Sequence, residues 1–481
     1  MLIGRKKEIE ELRRLFTSDK SELIAVYGRR RVGKTFLVLE TFKDEMVFFH
    51  TGLQPVPNDQ IFPEDKLKRQ LEKFQIDLVK YGLADDLDAP KDWLMAFHKL
   101  GDALTKKYQN KRIVLFLDEL PWMDSPKSYF LEAFSDFWNS YCVPHKNIVL
   151  VVSGSSSSWM LNNIIHTSGG LSNRVTYPLR LLPFDLSEVE ELLHAKNINY
   201  SRYEIAETYM MVGGIPFYLD LFNPIYSLDQ NIDTLFFGAS AKLLNEFKDL
   251  FNSQFVEPEK YKRIVEILSE NNSGYTAIEI ANKMGIKSKN GNFYEMIDAL
   301  KEGGFIIDYV PFKGNKRQVK YKLIDPFCLF YLKQVRGHEQ YDNYWRINSS
   351  KQKAVTWRGF AFENLCYIHI NQIKKAMSIL GIESKHYMWY QKGDEVKKGA
   401  QIDLVIERSD NVVNLCEMKF YSNNYSINKE DHLNLMNKIE SLRENINRRS
   451  HIQTVLITSF ALTNNGYRGD FQIVLTLDDL F

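Results

Sequence analysis

The fold is decided by the stretch Gly28-Arg29-Arg30-Arg31-Val32-Gly33-Lys34-Thr35, which fits the pattern G-x-x-x-x-G-K-[ST]. The apolar run from Leu23 to Tyr27 before it predicts a strand, and the pattern from Thr35 to Phe42 after it predicts a helix. Glycines let successive backbone N–H groups turn towards a polyphosphate, and the helix that follows offers the positive end of its dipole. The stretch therefore predicts a phosphate-binding loop.

Two side chains of this loop have predicted roles. We expect the Lys34 ammonium to bridge the β- and γ-phosphates of ATP, and the Thr35 hydroxyl to ligate Mg²⁺. The residues from Gly28 to Gly33 complete the cradle around the phosphates. ATP and Mg²⁺ are thus the cofactors that the sequence predicts.

Composition limits the class of protein. A chain of 481 residues predicts two to four domains, and 44% hydrophobic with 26% charged residues is typical of a soluble globular protein. The formal net charge of +1 predicts no strong global attraction to nucleic acid or to an anionic membrane, so any nucleic-acid surface is expected to be local.

The cellular compartment follows from the cysteines and from apolar runs. The four cysteines are isolated and lack metal-ligand spacing, which argues against a disulfide framework and favours a reducing cytosol. The polar stretch Arg5-Lys6-Lys7-Glu8 leaves no signal-peptide core near the start, and no apolar run approaches the roughly 20 residues that cross a bilayer. We therefore expect a cytoplasmic protein with no membrane partner.

Two adjacent carboxylates follow a second apolar run. The segment from Arg112 to Leu117 predicts a strand that is buried on both faces of a parallel sheet, and Asp118 and Glu119 come at its end. Ligands bind at that edge of an open α/β sheet. Asp118 is expected in the Mg²⁺ shell, and Glu119 is expected to act as the base that orients and deprotonates the attacking water.

A third buried strand is predicted from Asn147 to Val152, beside the first two, and it ends in Ser153-Gly154-Ser155-Ser156. Two interpretations of Ser153 stand side by side. In one, Ser153 or Ser155 places a hydroxyl near the γ-phosphate or the attacking water. In the other, the serines cap a helix.

Together these segments resemble the P-loop ATPases of the AAA-like and STAND-like groups, and the archaeal-type ATPase family in particular. The matching residues are Gly4-Arg5 with Glu8, the loop from Gly28 to Thr35, Leu117-Asp118-Glu119, Ser153-Gly154-Ser155, Gly169-Gly170-Leu171 with Arg174, and Gly213-Gly214-Ile215-Pro216. The resemblance implies an extra strand between the loop strand and the Asp-Glu strand, and it places Gly213 to Pro216 at a turn of a helical lid.

Arg174 has two interpretations. The resemblance places it where such ATPases often carry an arginine that senses the γ-phosphate, which would make it a nucleotide-binding residue. Alternatively, it is a surface arginine at the start of a strand from Arg174 to Leu179.

The middle of the chain predicts a winged helix. The pattern consists of three helices and a hairpin: Tyr261 to Leu268, Ala277 to Met284, Gly291 to Glu302, Phe305 to Val310 and Gln318 to Leu323. Basic residues collect before the third helix and in the hairpin, namely Lys287, Lys289, Lys313, Lys316, Arg317 and Lys320. They would suit contacts with DNA phosphates, and docking of protein and an ordinary solvated loop are the alternatives.

A second candidate site lies far downstream. Strands are predicted from Gln401 to Glu407 and from Val412 to Phe420, joined by a polar turn. Residues two apart in a strand share a face, so Glu417 and Lys419 point together, and Asp403 can converge on them from the neighbouring strand.

This constellation suits a divalent metal. Asp403 and Glu417 are expected to ligate Mg²⁺, Lys419 to steady the attacking hydroxide or the pentavalent phosphate, and Glu363, on a helix predicted from Trp357 to about Met377, to complete the shell. The alternative is an exposed hairpin whose charges are paired.

The segment from Gly399 to Lys419, with Glu363, resembles the PD-(D/E)XK nuclease fold and the C-terminal domain that accompanies archaeal-type ATPases. Ile402 stands where many members of that fold have a proline before the first aspartate. The resemblance implies metal-dependent cleavage of DNA, but many members of such folds bind without cutting.

The predicted architecture is α/β with four parts: a P-loop NTPase core over 1–182, a helical lid over 183–255, a winged-helix domain over 256–330, and a C-terminal α/β restriction-endonuclease-like domain over 331–481. The leading hypothesis is an ATPase that couples nucleotide state to a nuclease-like domain acting on DNA. The alternative is a STAND-like signalling ATPase, which ATP assembles into a homo-oligomer and whose last domain is an inactive binding platform.

Overall fold

The computed structural model describes residues 2–54, 62–109, 111–238, 240–286, 291–314, 318–338, 341–391, 393 and 399–481. The chain divides into two compact units: an N-terminal unit of Met1–Pro183 with Asn252–Val256, and a C-terminal unit of Phe184–Phe251 with Glu257–Phe481. In the described residues, the N-terminal unit holds a five-stranded sheet, and the C-terminal unit holds a three-stranded and a five-stranded sheet.

The sheet of the N-terminal unit is parallel throughout, in the order β2-β3-β4-β1-β5. Its strands are β1 Glu22–Tyr27, β2 Met46–Thr51, β3 Ile113–Asp118, β4 Ile148–Gly154 and β5 Tyr177–Arg180. Every residue of β3 and β4 is buried, as their continuous apolar sequences predict. Strand β4 lies between β1 and β3, which confirms the extra strand that the resemblance implied.

Seven helices belong to the described part of this unit: α1 Lys6–Phe16, α2 Lys34–Thr41, α3 Pro63–Lys80, α4 Trp93–Lys107, α5 Leu120–Met123, α6 Phe130–Asp136 and α7 Ser157–Met160. Helices α6 and α7 each continue into a wider π-helical segment, Phe137–Cys142 and Leu161–Ile165. The rings of Trp93 in α4 and Phe130 in α6 pack edge to face, with their centroids 5.1 Å apart. Aromatic residues of these two helices form much of the core beside the sheet.

The strand predicted from Arg174 begins instead at Tyr177, so the interpretation of Arg174 as the first residue of that strand is wrong. The backbone N–H of Arg174 donates to the carbonyl of Leu171 at 3.0 Å, within a turn. Asn173 before it has a left-handed conformation, with φ of 56°. The chain therefore reaches the edge of β1 only after this turn.

The C-terminal unit is mostly helical. The helices described in it are α8 Leu186–Ala195, α9 Arg202–Val212, α10 Pro216–Asp220, α11 Leu228–Phe236, α12 Glu246–Asn252, α13 Pro258–Ser269, α14 Ala277–Met284, α15 Gly291–Glu302, α16 Pro326–Phe330, α17 Tyr344–Asn348, α18 Gln352–Ile368, α19 Ile370–Ala376 and α20 Lys429–Asn445. A close backbone approach fixes the turn between α9 and α10. A Cβ on Gly214 would lie 1.9 Å from the carbonyl oxygen of Phe184, so only glycine fits there.

The three-stranded sheet is antiparallel, in the order β6-β8-β7, with β6 Tyr275–Thr276, β7 Ile306–Tyr309 and β8 Lys320–Leu323. Helices α14 and α15 have the bounds that the sequence predicts, and the two hairpin strands are shorter than predicted. Four of the basic residues named for DNA contacts, Lys287, Lys289, Lys316 and Arg317, lie outside the described residues.

The second five-stranded sheet is mixed, in the order β13-β12-β11-β10-β9. Its strands are β9 Ser384–Gln391, β10 Ala400–Arg408, β11 Val412–Lys419, β12 His451–Thr458 and β13 Ile473–Leu475. Strands β9, β10 and β11 pair antiparallel, and β11, β12 and β13 pair parallel. Strands β10 and β11 are the two strands of the hairpin that the sequence predicts.

The long helix predicted from Trp357 to Met377 is two helices, α18 and α19, which meet at His369. The ring of His369 accepts the N–H of Leu186 on Nε2 at 3.1 Å and donates from Nδ1 to the carbonyl of Leu365 at 2.9 Å. In the part of the chain that the structure describes, no helix has the length and apolar character to cross a bilayer.

The β7–β8 hairpin is packed onto the mixed sheet. The backbone N–H of Phe312 donates to the carbonyl of Met388 at 3.2 Å, and the Phe312 ring belongs to the same hydrophobic core as Trp389 and Ile402. The Asn364 amide donates to the carbonyl of Leu323 at 3.1 Å. These contacts fix the hairpin against β9, β10 and α18.

Candidate functional sites

The phosphate-binding loop connects β1 to α2 and relies on its glycines. Gly28 has φ of 140°, and a Cβ there would lie 2.4 Å from the carbonyl oxygen of Leu181. Gly33 has φ of 91° and stands directly before α2. Glycine adopts both conformations at little cost, whereas other residues would be strained there. This explains why the motif has glycine at these two positions.

The Lys34 ammonium lies inside the loop and is only 5% exposed. Its Nζ donates to the carbonyls of Gly28 at 3.0 Å and Arg29 at 3.2 Å, and to the hydroxyl of Ser155 at 3.0 Å. Burial lowers the pKa of Lys34, while the carboxylates of Glu119 and Asp118 act in the opposite direction. The positive charge is thus held at the centre of the cradle.

Asp118 and Thr35 meet at one point beside the loop. The Thr35 hydroxyl donates to Oδ2 of Asp118 at 2.9 Å, and the Ser153 hydroxyl donates to the other carboxylate oxygen. Burial raises the pKa of Asp118, and the neighbouring Glu119 adds to that shift. A hydroxyl and a carboxylate at contact distance are the oxygen donors that Mg²⁺ takes in such loops, so these residues fit the predicted ion.

Ser155 links the base candidate to the loop lysine. The Glu119 carboxylate accepts the N–H of Ser155 at 2.9 Å and also its hydroxyl, and the same hydroxyl contacts Lys34. The backbone of Glu119 has a left-handed conformation, with φ of 55°, directly before α5. The sequence leaves Ser153 and Ser155 as alternatives for a hydroxyl near the γ-phosphate. Ser155 is the serine that contacts Lys34 at the loop, whereas the hydroxyl of the fully buried Ser153 donates to Asp118.

Arg5 has a role that sequence reasoning missed. Its buried guanidinium donates to the carbonyl of Leu182 at 2.6 Å and to that of Val32, inside the loop, at 3.4 Å. Glu8 lies 3.6 Å from the same guanidinium. The Gly4-Arg5 and Glu8 pattern near the start of the chain therefore braces the loop.

Arg174 is exposed in the turn that precedes β5. Within the described ranges, no hydrogen bond or ion pair joins its side chain to the phosphate-binding loop. Its role as a γ-phosphate sensor stays a prediction.

The second candidate site lies on the β10–β11 hairpin. Leu404 pairs with Cys416, which sets Asp403 opposite Glu417 on the neighbouring strand. Asp403 Oδ2 accepts the N–H of Met418 at 3.1 Å. Glu417 is buried, and its Oε1 accepts the Lys438 ammonium at 2.6 Å. The structure thus brings together the two carboxylates that the sequence predicts.

Burial dominates the electrostatics of this site. It raises the pKa of Glu363 to about 8 and that of Glu417 to about 7, and the charge of Asp403 adds to both shifts. Burial disfavours the charged form of Lys419, but Glu417 and Asp403 outweigh it and raise the pKa of Lys419. Lys419 therefore stays cationic beside the carboxylates, on the face where the sequence places it.

A further lysine, Lys322 of β8, faces the same carboxylates and was not predicted. It is only 4% exposed, and its Nζ lies 3.9 Å from the thioether sulfur of Met388. Burial lowers the pKa of Lys322, and Glu363 and Asp403 oppose that shift. Alternation along β8 could have found it, because residues two apart share a face and Lys320 was already named.

Among the described residues, no three His, Cys, Asp or Glu side chains converge as a metal-ligand set. Glu363 therefore does not join Asp403 and Glu417 in one ligand set, although burial and the charges of both raise its pKa. Two facing carboxylates still fit Mg²⁺, which is commonly held by one or two carboxylates and several waters.

The first part of the chain matches the model of a family described as an ATPase domain predominantly from Archaea, over residues 2–222. Two relatives come from Methanocaldococcus jannaschii. Protein MJECL04 is 24% identical over 402 residues, which cover 82% of this chain and 83% of that one. The ATP-binding protein MJ0632 is 26% identical over 359 residues, which cover 63% of this chain and 97% of that one.

Among solved structures, the chain is similar to the Walker-type ATPase paby2304 of Pyrococcus abyssi. The identity is 16% and the TM-score 0.49, with 69% of this chain and 96% of the other covered. The parallel sheet, with its phosphate-binding loop and Asp-Glu edge, lies at residues 22–180, inside the range that the family model matches, residues 2–222. That part of the chain is a P-loop ATPase domain of the archaeal type.

Proposed function

We propose that this protein couples ATP binding and hydrolysis to metal-dependent hydrolysis of DNA at Asp403, Glu417 and Lys419. One observation carries the second half of the proposal: two carboxylates and an ammonium stand together on one face of the β10–β11 hairpin. Such a set suits the polarisation of a phosphodiester and the stabilisation of its added charge.

At the ATP site, each residue of the phosphate-binding loop and of the Asp-Glu edge would have a separate role. Lys34 would hold the β- and γ-phosphates, and Thr35 with Asp118 would hold Mg²⁺, which neutralises charge on the phosphates when bound. Glu119 would orient the attacking water and take its proton. Its hydrogen bonds to Ser155 connect that base to Lys34, so contact of Lys34 with the γ-phosphate would alter the position of Glu119.

In the DNA half, Asp403 and Glu417 would hold Mg²⁺, which supplies a Lewis acid beside the scissile phosphate. The Lys419 ammonium would stabilise the negative charge that grows on the phosphate oxygens when water attacks. Lys438, which contacts Glu417 at 2.6 Å, would position that carboxylate. Glu363 would support the centre from α18.

The remaining assignments belong to the same proposal. Residues 183–255 would form the helical lid, residues 256–330 a winged helix that contacts DNA or protein, and residues 331–481 the nuclease-like domain. The protein would act in the cytoplasm, and ATP would favour its homo-oligomer. Arg174 would sense the γ-phosphate.

The test is a nuclease assay on linear, nicked and single-stranded DNA with Mg²⁺ or Mn²⁺, with and without ATP. The purified protein should cleave, and Asp403→Asn should lower the rate at least 100-fold, since it removes a charged metal ligand. Asp410→Asn is the matched control, because Asp410 is an exposed carboxylate in the same hairpin. Cleavage that survives Asp403→Asn would reject this centre.

A signalling ATPase with an inactive C-terminal platform is the second candidate. It is favoured by the ammonium groups of Lys438 and Lys322, which already compensate the buried carboxylates. Absence of cleavage with either metal, together with a rise in molar mass on ATP binding measured by light scattering, would favour this candidate over the nuclease.

A further inference from the structure

Two cavities of the C-terminal unit meet at Asp403. One, of about 370 Å³, lies between the β7–β8 hairpin and the mixed sheet. The other, of about 290 Å³, lies between the β10–β11 hairpin and α20. Both are lined by Gln401 and Asp403, so the carboxylate stands at the boundary between the two cavities.

The larger cavity combines aromatic rings with cations. Tyr390 of β9 is 60% exposed and lines this cavity. Tyr309 lines it as well, and its hydroxyl donates to the carbonyl of Ser273 at 2.6 Å, which fixes the ring. Lys320 and Lys322 enter from β8, on one face of that strand. Rings beside ammonium groups are the elements of a surface that binds a nucleic-acid strand.

The walls of this cavity are held in place. Phe312 is buried in the core of the mixed sheet, and Lys313 next to it pairs with Glu407 at 2.7 Å. Lys313 is thus engaged with β10 rather than directed at the cavity, although the sequence grouped it with Lys320. Because the hairpin is anchored, the spacing between Lys320 and Tyr390 is set before any ligand arrives.

The smaller cavity is polar. Lys438 and Asn437 of α20 line it together with Glu417 and Lys419. The Asn437 amide donates to the carbonyl of Gly399 at 3.3 Å, which holds it beside the start of β10. The carboxylates of Asp403, Glu417 and Asp431 also line it and suit a divalent ion. With that ion bound, the amide and ammonium donors suit the sugar–phosphate backbone more than a base.

We propose that the two cavities form one groove that binds a single unpaired polynucleotide strand, with a base stacked on Tyr390 and the adjoining phosphate at Asp403. The inference rests on the proposed phosphodiester chemistry and names its substrate class. The larger cavity has the size of a small-molecule site, about 300–1,000 Å³, and the smaller one is just below that range. A duplex keeps its base faces inside the stack, so it would leave the ring of Tyr390 without a partner.

Binding is measured with Ca²⁺ in place of Mg²⁺, so that the carboxylates can hold a divalent ion beside the phosphate, by fluorescence anisotropy of labelled 20-nucleotide probes whose integrity is checked on a denaturing gel. The probes are single-stranded DNA, single-stranded RNA of the same sequence, and blunt duplex DNA. Either single strand should bind at least tenfold more tightly than the duplex, and the two single-stranded arms identify the sugar. Tyr390→Ala should weaken single-strand binding about tenfold, and Tyr390→Phe should restore it, because stacking needs only the ring.

Two matched variants control for general effects. Tyr226→Ala removes an exposed tyrosine elsewhere in the C-terminal unit, and Lys385→Ala removes an exposed lysine of β9. Neither should change affinity. Lys320→Ala should weaken binding and lower the slope of log affinity against log salt by about 0.7, the value for one phosphate of a single strand.

Equal affinity for duplex and single-stranded probes, or unchanged affinity of the Tyr390→Ala variant, would overturn the proposal of a single-strand groove. The outcome is separable from that of the nuclease assay. Single-strand binding without cleavage in Mg²⁺ would support the groove and reject the nuclease proposal. Cleavage of duplex DNA at a rate that Tyr390→Ala does not change would support the nuclease proposal and reject the groove.

Discussion

Single side chains account for both candidate centres. At the phosphate-binding loop, the Lys34 ammonium is surrounded by two carbonyls and the Ser155 hydroxyl, at 3.0–3.2 Å. At the second centre, Lys419, Lys438 and Lys322 surround buried carboxylates. At both centres, a lysine ammonium interacts with oxygen atoms that come close to it only when the chain folds.

Lys34→Ala should abolish ATP turnover, with a fall of at least 100-fold in kcat, because the substitution removes the cation that stabilises the transferring phosphate. Release of phosphate from ATP by the purified protein is the measurement. Lys43→Ala is the matched control, since Lys43 is exposed just after α2. Turnover at the wild-type rate in Lys34→Ala would refute the assignment of this loop.

Lys322→Met should tighten the binding of a divalent ion at the second centre about tenfold, because it removes a positive charge that faces Glu363 and Asp403. The measurement is a calorimetric titration with Ca²⁺ or the luminescence of bound Tb³⁺, neither of which depends on cleavage. Lys320→Met, on the same face of β8 but more exposed, should change affinity less. Weaker binding in Lys322→Met would show that this lysine supports the ion rather than competing with it.

At the scale of elements, His369 joins two helices. Its Nε2 accepts the first N–H of α8 while its Nδ1–H donates into the end of α18. Only a neutral ring makes both bonds, and burial lowers the pKa of His369 below its usual 6.5. The end of one helix and the start of another therefore depend on one uncharged imidazole.

A pH dependence of stability follows. Above pH 6.5 the ring is neutral in both the folded and the unfolded chain, and below it only the unfolded chain takes the proton. Stability should fall on acidification by up to about 1.4 kcal/mol per pH unit from this group. His369→Gln keeps an acceptor for Leu186 without a titrating ring, so its melting temperature should drop less between pH 7.5 and 5.5. An equal drop in both proteins would contradict this role.

The elements that the sequence predicts are those whose pattern is local. Strands β3 and β4 are buried along their whole length, and their apolar runs mark them clearly. Strand β9 was missed because it is an edge strand of mixed polarity, SKHYMWYQ, that relies on pairing with β10. Helix α20 begins at Lys429, where Asn428 and Asp431 form a capping box.

The candidate sites divide in the same way. Asp403, Glu417 and Lys419 follow from strand alternation and one hairpin, so they were predicted as neighbours. Lys322 was not predicted, because it meets its partners through tertiary packing between segments that are distant in sequence. For the same reason, the sequence alone does not choose between Ser153 and Ser155 at the loop.

At the scale of the whole molecule, three of the four predicted domains fall within one compact unit. Contacts inside that unit cross the predicted boundaries. Glu207 of α9 and Arg358 of α18 form a buried ion pair, and the Arg358 guanidinium also donates to the carbonyl of Ser349. The helical segment that begins at Phe184 is therefore tied to the C-terminal residues.

Glu207→Gln should lower the stability of this unit by about 3–5 kcal/mol, because it leaves the Arg358 guanidinium buried without its partner. Thermal or urea unfolding followed by circular dichroism would show the change. Glu190→Gln, which interrupts a more exposed pair with Arg202, should cost at most about 1 kcal/mol. Similar losses in both variants would mean that the buried pair has no special weight.

The place of Lys322 on β8 bears on how such a protein can diversify. Asp403 and Glu417 lie beyond residue 330, whereas the ammonium that faces Asp403 and Glu363 comes from before it. A genetic exchange that swaps the last 150 or so residues would bring in carboxylates fitted to a different hairpin. We therefore expect the β7–β8 hairpin and the mixed sheet to be exchanged between proteins only together, as one unit.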